Sequence, residues 1–229
     1  MSVKITWLGH SAFALDLEGH PVLIDPFLTG NPLAAADPND LTAEIIFLSH
    51  AHGDHVGDTV AIAKRTGALV VANFEICNWL NAHGVASTHA GNPGGGWNHG
   101  FVHCKFTIAH HSSSFPDGTY GGNPCGFIFT TPSGKRLYFA GDTAAFGDMQ
   151  LIGDHGIDLA FLPIGDNYTM GPEDSLLAIK LIRPRFVIPM HYKTWPVIDQ
   201  DASDWANRVN SETTAQPIVL DPGASYTLV

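Results

Sequence analysis

Basic residues are scarce in this chain. Lysine and arginine together number 11 in 229 residues, against 22 aspartates and glutamates, for a formal charge of -11. The charged fraction is 14%, below the ~25% of ordinary soluble domains. Such a surface repels phosphate backbones and anionic lipid, which argues against nucleic-acid and membrane partners. Cysteine is sparse as well. Cys77, Cys104 and Cys125 form no C-x-x-C pair, and an odd count argues against a disulfide framework. Buried, reduced thiols are expected instead. No apolar run approaches the ~20 residues that span a bilayer. Residues 1–8 lack the basic segment and apolar stretch of a signal peptide, so a cytoplasmic protein is expected. No low-complexity linker divides the chain, and residues 1–229 are read as one domain, long enough to bury a core. What is abundant is histidine: 13 residues, more than lysine and arginine together. A chain poor in lysine but rich in histidine and aspartate is either a pH-responsive surface or a metal binder.

The order of residues decides between these. Residues 3–8 alternate and end at Gly9, 12–17 follow, and a turn over 18–21 leads into 22–24, an antiparallel meander. Residues 45–48 and 69–72 are short apolar runs suited to strands buried on both faces. Residues 58–66 have helical spacing and stop at Gly67, and 74–82 read as a helix stopping near Gly84. The second half predicts strands over 101–109, 126–131, 136–140, 159–162 and 186–188, with a turn at 132–134. It also predicts a helix over 173–182 entered through Pro172, a last helix over 202–210, and short strands near Ile218 and Tyr226. Gly94-Gly95-Gly96 lacks the Lys-Ser/Thr of a phosphate loop and reads as a flexible connection. Two passages rhyme. Val22-Leu23-Ile24-Asp25-Pro26 resembles Leu137-Tyr138-Phe139-Ala140-Gly141-Asp142, and some twenty residues later Ile45-Ile46-Phe47-Leu48 resembles Leu159-Ala160-Phe161-Leu162. An internal duplication would set two sheets face to face with helices outside and strand ends gathered at one edge.

The strongest chemical signal is Ser49-His50-Ala51-His52-Gly53-Asp54-His55, directly after an apolar strand. Alternate residues of an extended segment point the same way, so His50 and His52 can face one metal. Gly53 is expected to let the chain turn sharply, aiming Asp54 and His55 at a second position. Imidazole and carboxylate suit zinc and other borderline first-row ions. Four ligands on one loop cannot enclose two ions, so partners must come from other strand ends. His110-His111, Asp142 and His191 each follow an apolar strand. Histidines 20, 83, 89, 99, 103 and 155 match no such placement and read as surface or packing residues.

This pattern of His-x-His-x-Asp-His, a later His, a Gly-Asp-Thr aspartate and a final His resembles the metallo-β-lactamase superfamily. Trp7-Leu8-Gly9-His10-Ser11-Ala12-Phe13, Leu23-Ile24-Asp25-Pro26-Phe27, His111-Ser112-Ser113, the run Pro163 through Gly171 and Pro189-Met190-His191-Tyr192 look more narrowly like small metal-dependent hydrolases related to the ascorbate-phosphate lactonases. The resemblance implies an α/β (α+β) protein, a four-layer αββα sandwich with the metal site at one edge of the two sheets. It assigns His50, His52 and His111 to a first metal, Asp54, His55 and His191 to a second, and Asp142 to both. It favours His111 over His110, which would lie behind the site or face the opposite way. Asp25 would orient a ligand imidazole and His10 would line the pocket.

The expected cofactors are two divalent ions, Zn2+ first, with Mn2+, Ni2+ or Fe2+ as further candidates. The expected function is cleavage of a small ester, lactone or phosphoester by a hydroxide bridging the two metals, with Asp54 both ligating and orienting it. Two such ions would offset four of the eleven negative charges and leave a locally positive spot open to a small anion. Residues 112–124, with Phe115 and Tyr120, are expected to wall the cleft, together with Tyr168 and Trp195. The partner is a small-molecule substrate, and a homo-oligomer is allowed. The alternatives are a mononuclear iron dioxygenase on the same fold, a β-lactam hydrolase, and a non-catalytic metal-binding module. The missing secretory signal argues against the β-lactamase, and His52, in place of glutamate, argues against diiron oxygen-reducing relatives. A closed structural site needs only four ligands, which argues against the module.

Overall fold

A computed structural model describes residues 2–229. The alternating apolar residues at the start form an antiparallel meander, β1 (Val3–Gly9), β2 (Ala12–Leu17) and β3 (His20–Ile24). Three strands then add in parallel, β4 (Ile45–Phe47), β5 (Leu69–Asn73) and β6 (Thr88–Gly91). The second sheet repeats this plan. Four strands are antiparallel, β7 (Gly96–Asn98), β8 (His103–Ile108), β9 (Cys125–Thr130) and β10 (Arg136–Phe139). Three follow in parallel, β11 (Leu159–Pro163), β12 (Phe186–Met190) and β13 (Gln216–Pro217). The last strand, β14 (Ser225–Leu228), returns to pair with β1. The sheets are therefore ordered β14-β1-β2-β3-β4-β5-β6 and β13-β12-β11-β10-β9-β8-β7, each with three antiparallel pairings followed by three parallel ones. The two rhyming passages occupy equivalent places, β3 with β10 and β4 with β11.

Successive residues of a strand face opposite ways, and here both faces are covered. Ile45 and Phe47 enter the core between the sheets, while Ile46 joins the layer beneath the helices. Aromatic rings fill the middle: Phe13 meets Phe161 at 4.7 Å, and Phe47 meets Phe129 at 4.7 Å. Outside the first sheet lie α1 (Gly53–Val56), α2 (Thr59–Thr66) and α3 (Phe74–Ala82). Outside the second lie α4 (Met149–Gly153), α5 (Pro172–Ile182) and α6 (Ala202–Glu212). The result is the expected αββα sandwich.

Local chemistry sets the helix ends. Gly67 closes α2 in the left-handed conformation. Asn73 caps α3 by accepting from the Ile76 amide, and Asp201 caps α6 at Ser203 and Asp204. The three cysteines are buried and unpaired, as expected. Gly96 belongs to β7, so the triple-glycine stretch is partly an edge strand and not only a connection. Among the described residues, no helix is long and apolar enough to cross a membrane.

Candidate metal centre

The site sits where the parallel strands end. Leu48 still bonds the sheet through Val71, after which Ser49 and His50 leave it. His52 has extended backbone (φ -62, ψ 148), so His50 and His52 alternate on an extended segment as expected. Their Nε2 and Nδ1 atoms face each other at 3.0 Å. The turn differs from expectation. Gly53 opens α1, and the left-handed residue is Gly57 at its far end (φ 40), because four helical residues intervene before the chain reverses. Asp54 and His55 thereby occupy the first turn of α1 and point away from His52 toward the second group.

The remaining groups arrive from the second sheet. Asp142 follows β10 through Gly141 (φ 64), where a Cβ would lie 2.7 Å from the Cys125 carbonyl. That clash and the left-handed backbone reserve the position for glycine. His111 follows β8 and His191 follows β12. Asp142 Oδ2 lies between two sets of imidazoles: 3.9 Å from His50 Nε2 and 3.6 Å from His111 Nε2 on one side, 3.3 Å from His55 Nε2 and 2.9 Å from His191 Nε2 on the other. Asp54 Oδ2 stands 3.9 Å from His191 and 4.0 Å from His55. Donor atoms of His50, His52 and His111 lie within 4.8 Å of one another, as do those of His10, Asp54, His55 and His191. All seven residues singled out as ligands in the sequence therefore converge.

Comparison with known proteins shows the family. Residues 4–191 match the family described as the beta-lactamase superfamily domain. A UPF0173 metal-dependent hydrolase of Thermus thermophilus is 49% identical over 226 residues, covering 96% of this chain and 97% of that protein. Another, from Pelotomaculum thermopropionicum, is 47% identical over 231 residues, covering 99% of this chain and all of that one. The chain belongs to the UPF0173 metal-dependent hydrolases. Among solved structures, Igni18, a metallo hydrolase from Ignicoccus hospitalis, superposes with a TM-score of 0.91 at 37% identity, covering 100% of this chain and 99% of that one.

The donors of this hydrolase suit a divalent ion. At zinc–ligand bonds of ~2.1 Å, tetrahedral ligand atoms lie about 3.4 Å apart, and the spacings above bracket that value. Asp142 Oδ1, His55 Nε2 and His191 Nδ1 are buried without a hydrogen-bond partner, a costly arrangement in which a cation would satisfy the first two. Protonation states agree. Burial holds the His50 imidazole well below its ordinary value, with the His55 charge adding to the effect. Burial also lowers His52 and His111. For Asp142, burial favours the neutral acid, but His191 and His55 outweigh it and hold the carboxyl well below its usual range. Asp54 is lowered in the same way, by His55 and His10. Neutral imidazole and ionised carboxylate are the forms that bind metal. His55 differs: burial opposes its charge, but Asp142, Asp54 and Asp25 prevail and push it well up in the metal-free protein.

Behind the donors lies a second set of contacts. Asp25, wholly buried, accepts from the Ser49 amide at 2.8 Å, from Ser49 Oγ at 2.5 Å and from His55 Nδ1 at 2.8 Å. Ser49 Oγ in turn stands 3.0 Å from His50 Nδ1. Since its hydrogen goes to Asp25, it accepts from His50. Both imidazoles thus carry a proton on Nδ1, which directs Nε2 toward the metal position; His50 Nε2 is free there, and His55 has only to release its Nε2 proton. The expected role of Asp25 in orienting a ligand imidazole therefore extends to two.

His10 was expected in the pocket wall. It is fully buried behind the site instead, with Nε2 3.1 Å from Asp54 Oδ2 and Nδ1 2.7 Å from Thr194 Oγ1. Burial, reinforced by His191, lowers it to about 4, so the neutral ring donates from Nε2 to Asp54. His110 is exposed and stacks edge-on against Phe146, which leaves the site to His111. The front of the centre opens into a cavity of about 640 Å³ walled by Phe27, Tyr168, Trp195 and Val197, with Ser112 at its rim. Tyr168 and Trp195 stand as expected. Phe115 does not, because it is buried against Trp79 at 4.1 Å, and Tyr120 projects to solvent. Phe27 and Val197 were missed. Phe27 adjoins the Asp25-Pro26 turn, the one sequence signal that pointed toward it.

Proposed function

We propose that the hydrolase cleaves a small ester, lactone or phosphoester using two divalent ions, zinc in the first instance, with manganese, nickel or ferrous iron as substitutes. The observation that carries this reading is Asp142 Oδ2 lying within 3.9 Å of imidazoles from both donor groups. His50, His52 and His111 would hold one ion, Asp54, His55 and His191 the other, and Asp142 both. Two ions so held would supply Lewis acidity and a shared hydroxide at neutral pH.

The chain's own groups do the rest. Asp54, its side chain 25% exposed at the cavity floor, accepts a hydrogen bond from His10 and keeps its other oxygen free to accept one from attacking water. His10 and Thr194 fix that carboxylate from behind. The aromatic walls cover part of the site and strengthen the charge interactions beside them. Two separate donor groups favour this reading over a mononuclear iron dioxygenase, which needs one. A cavity of about 640 Å³ suits a small molecule and not a polymer.

The test is metal content and turnover together. Protein purified without added salts is expected to carry two zinc or manganese ions per chain. His50→Ala and Asp142→Ala are expected to remain soluble and lose hydrolysis. Wild-type turnover in either variant, or one iron per chain with oxygen uptake, refutes the proposal.

A further inference from the structure

We propose that the substrate is an uncharged carboxylic ester or lactone carrying an aromatic or branched apolar arm, and that phosphoesters are selected against. This narrows, and rests on, the hydrolytic reading above.

The cavity wall argues for the apolar arm. Phe27, Tyr168, Trp195 and Val197 line the same cavity as the donors His52, Asp54, His111, Asp142 and His191. Tyr168 and Val197 are each 56% exposed, an unusual outlay of apolar surface at the mouth of a polar site. The platform is also fixed in place. Trp195 lies edge-on to the buried His10 ring at 5.0 Å and 6.3 Å from Phe27, and Phe27 itself meets His10 at 5.9 Å. An aromatic surface held this way binds a ring without ordering first.

Charge argues against phosphoesters. No lysine or arginine lines the cavity. Sites that transfer phosphoryl groups gather cations around the non-bridging oxygens, either metal ions or Lys and Arg side chains, and here the metal ions alone would have to serve. Ser112 and Tyr168 offer only neutral hydroxyls. A neutral carbonyl loses little on entering such a site, while an anion gives up its hydration with no cation beyond the metals to replace it.

The test compares substrates sharing one leaving group on zinc-loaded protein: p-nitrophenyl acetate, p-nitrophenyl benzoate and bis(p-nitrophenyl) phosphate. The benzoate is expected to exceed the acetate in kcat/KM by about tenfold, the range of a single aromatic contact. Trp195→Ala should abolish that preference, and Trp195→Phe should keep most of it. Val197→Lys should improve the phosphodiester relative to the benzoate. A second readout is independent of turnover. In proton–nitrogen NMR spectra, N-phenylacetamide is expected to shift the Trp195 indole signal at concentrations where methyl phenyl phosphate does not. Phosphodiester turnover above that of the benzoate, or a Trp195→Ala variant with unchanged benzoate preference, overturns the proposal. If no substrate is cleaved, the hydrolytic reading fails. The binding comparison then decides this one, and tighter binding of methyl phenyl phosphate refutes it.

Discussion

Replacing Asp25 by asparagine changes one oxygen to nitrogen in a group that touches no substrate, yet the structure predicts a large loss of metal affinity. The carboxylate faces three donors and no acceptor: Ser49 N–H on Oδ1, and Ser49 Oγ and His55 Nδ1 on Oδ2. An amide cannot match this set. If its oxygen takes the Oδ2 place, its NH2 meets the Ser49 amide, donor against donor. If it takes the Oδ1 place, its NH2 donates to Ser49 Oγ and His55 Nδ1. Ser49 then donates to His50, and both imidazoles move their proton to Nε2, the atom needed for metal. Losing one such orienting contact costs 10–100-fold in metal affinity. Two ligands affected together predict roughly 10²–10⁴-fold, or about 3–6 kcal/mol. The assay is competition for zinc against a chelating dye, with the urea midpoint of metal-free protein measured alongside. The unfolding free energy obtained from that midpoint should fall by the ~1–3 kcal/mol of an unmatched buried polar group. An Asp25→Asn variant that binds zinc within threefold of wild type while fully folded would falsify the tautomer argument.

The adjacent histidines give a sharp comparison: His111→Ala should release bound metal, measured by elemental analysis after gel filtration, and His110→Ala should retain it, because His110 faces Phe146 and solvent. The metal-free protein should be most stable near pH 6.5 in urea titrations at pH 5, 6.5 and 8. Burial lowers His10 from 6.5 to about 4 and holds His50 well below its ordinary value, so below 6.5 the unfolded chain binds more protons and stability drops. His55 is raised, so the stability it contributes is complete below 6.5 and fades as pH climbs toward its folded value; a steady rise in stability to pH 8 would contradict this. Asn73→Ala should cost about 2–3 kcal/mol in thermal or urea unfolding, because one buried side chain caps α3 and also donates to the Gly121 and Asn123 carbonyls. Phe161→Ala should cost ~3–5 kcal/mol by the same measurement, since its ring fills the space between the sheets against Phe13 and Phe139.

The elements that sequence pattern revealed are those with enough length to show a period. Residues 58–66 and 74–82 were legible as helices because each runs two turns or more and ends at a glycine or close to one. The helices α1 and α4 have four and five residues, too short for any periodicity, and both went unseen. The edge strands β6 and β7 were missed for another reason. Thr88–Gly91 has no buried residue and Gly96–Asn98 is exposed throughout, so neither carries an apolar alternation to read. The ligands were legible because their chemistry is local to a strand end. Ser49, Thr194 and the true place of His10 were not, because each acts through a contact with residues 24 to 184 positions away.

The repeated sheet plan explains why the site has two kinds of aspartate. Asp25 follows β3 and Asp142 follows β10, and these strands hold equivalent places in the two sheets. After both strands the backbone bends into the left-handed region, at Asp25 itself (φ 43) and at Gly141 (φ 64). The one-residue difference has a consequence. At Gly141 the glycine absorbs the strained conformation, which frees Asp142 to reach forward among four imidazoles. Asp25 carries the strain in its own backbone, stays 0% exposed, and turns to Ser49 and His55 behind the donors. Similar strand ends thus provide one carboxylate positioned to meet metal and one positioned to orient the imidazoles that do. A site built this way needs both halves of the chain, and neither sheet alone contains a complete set of donors.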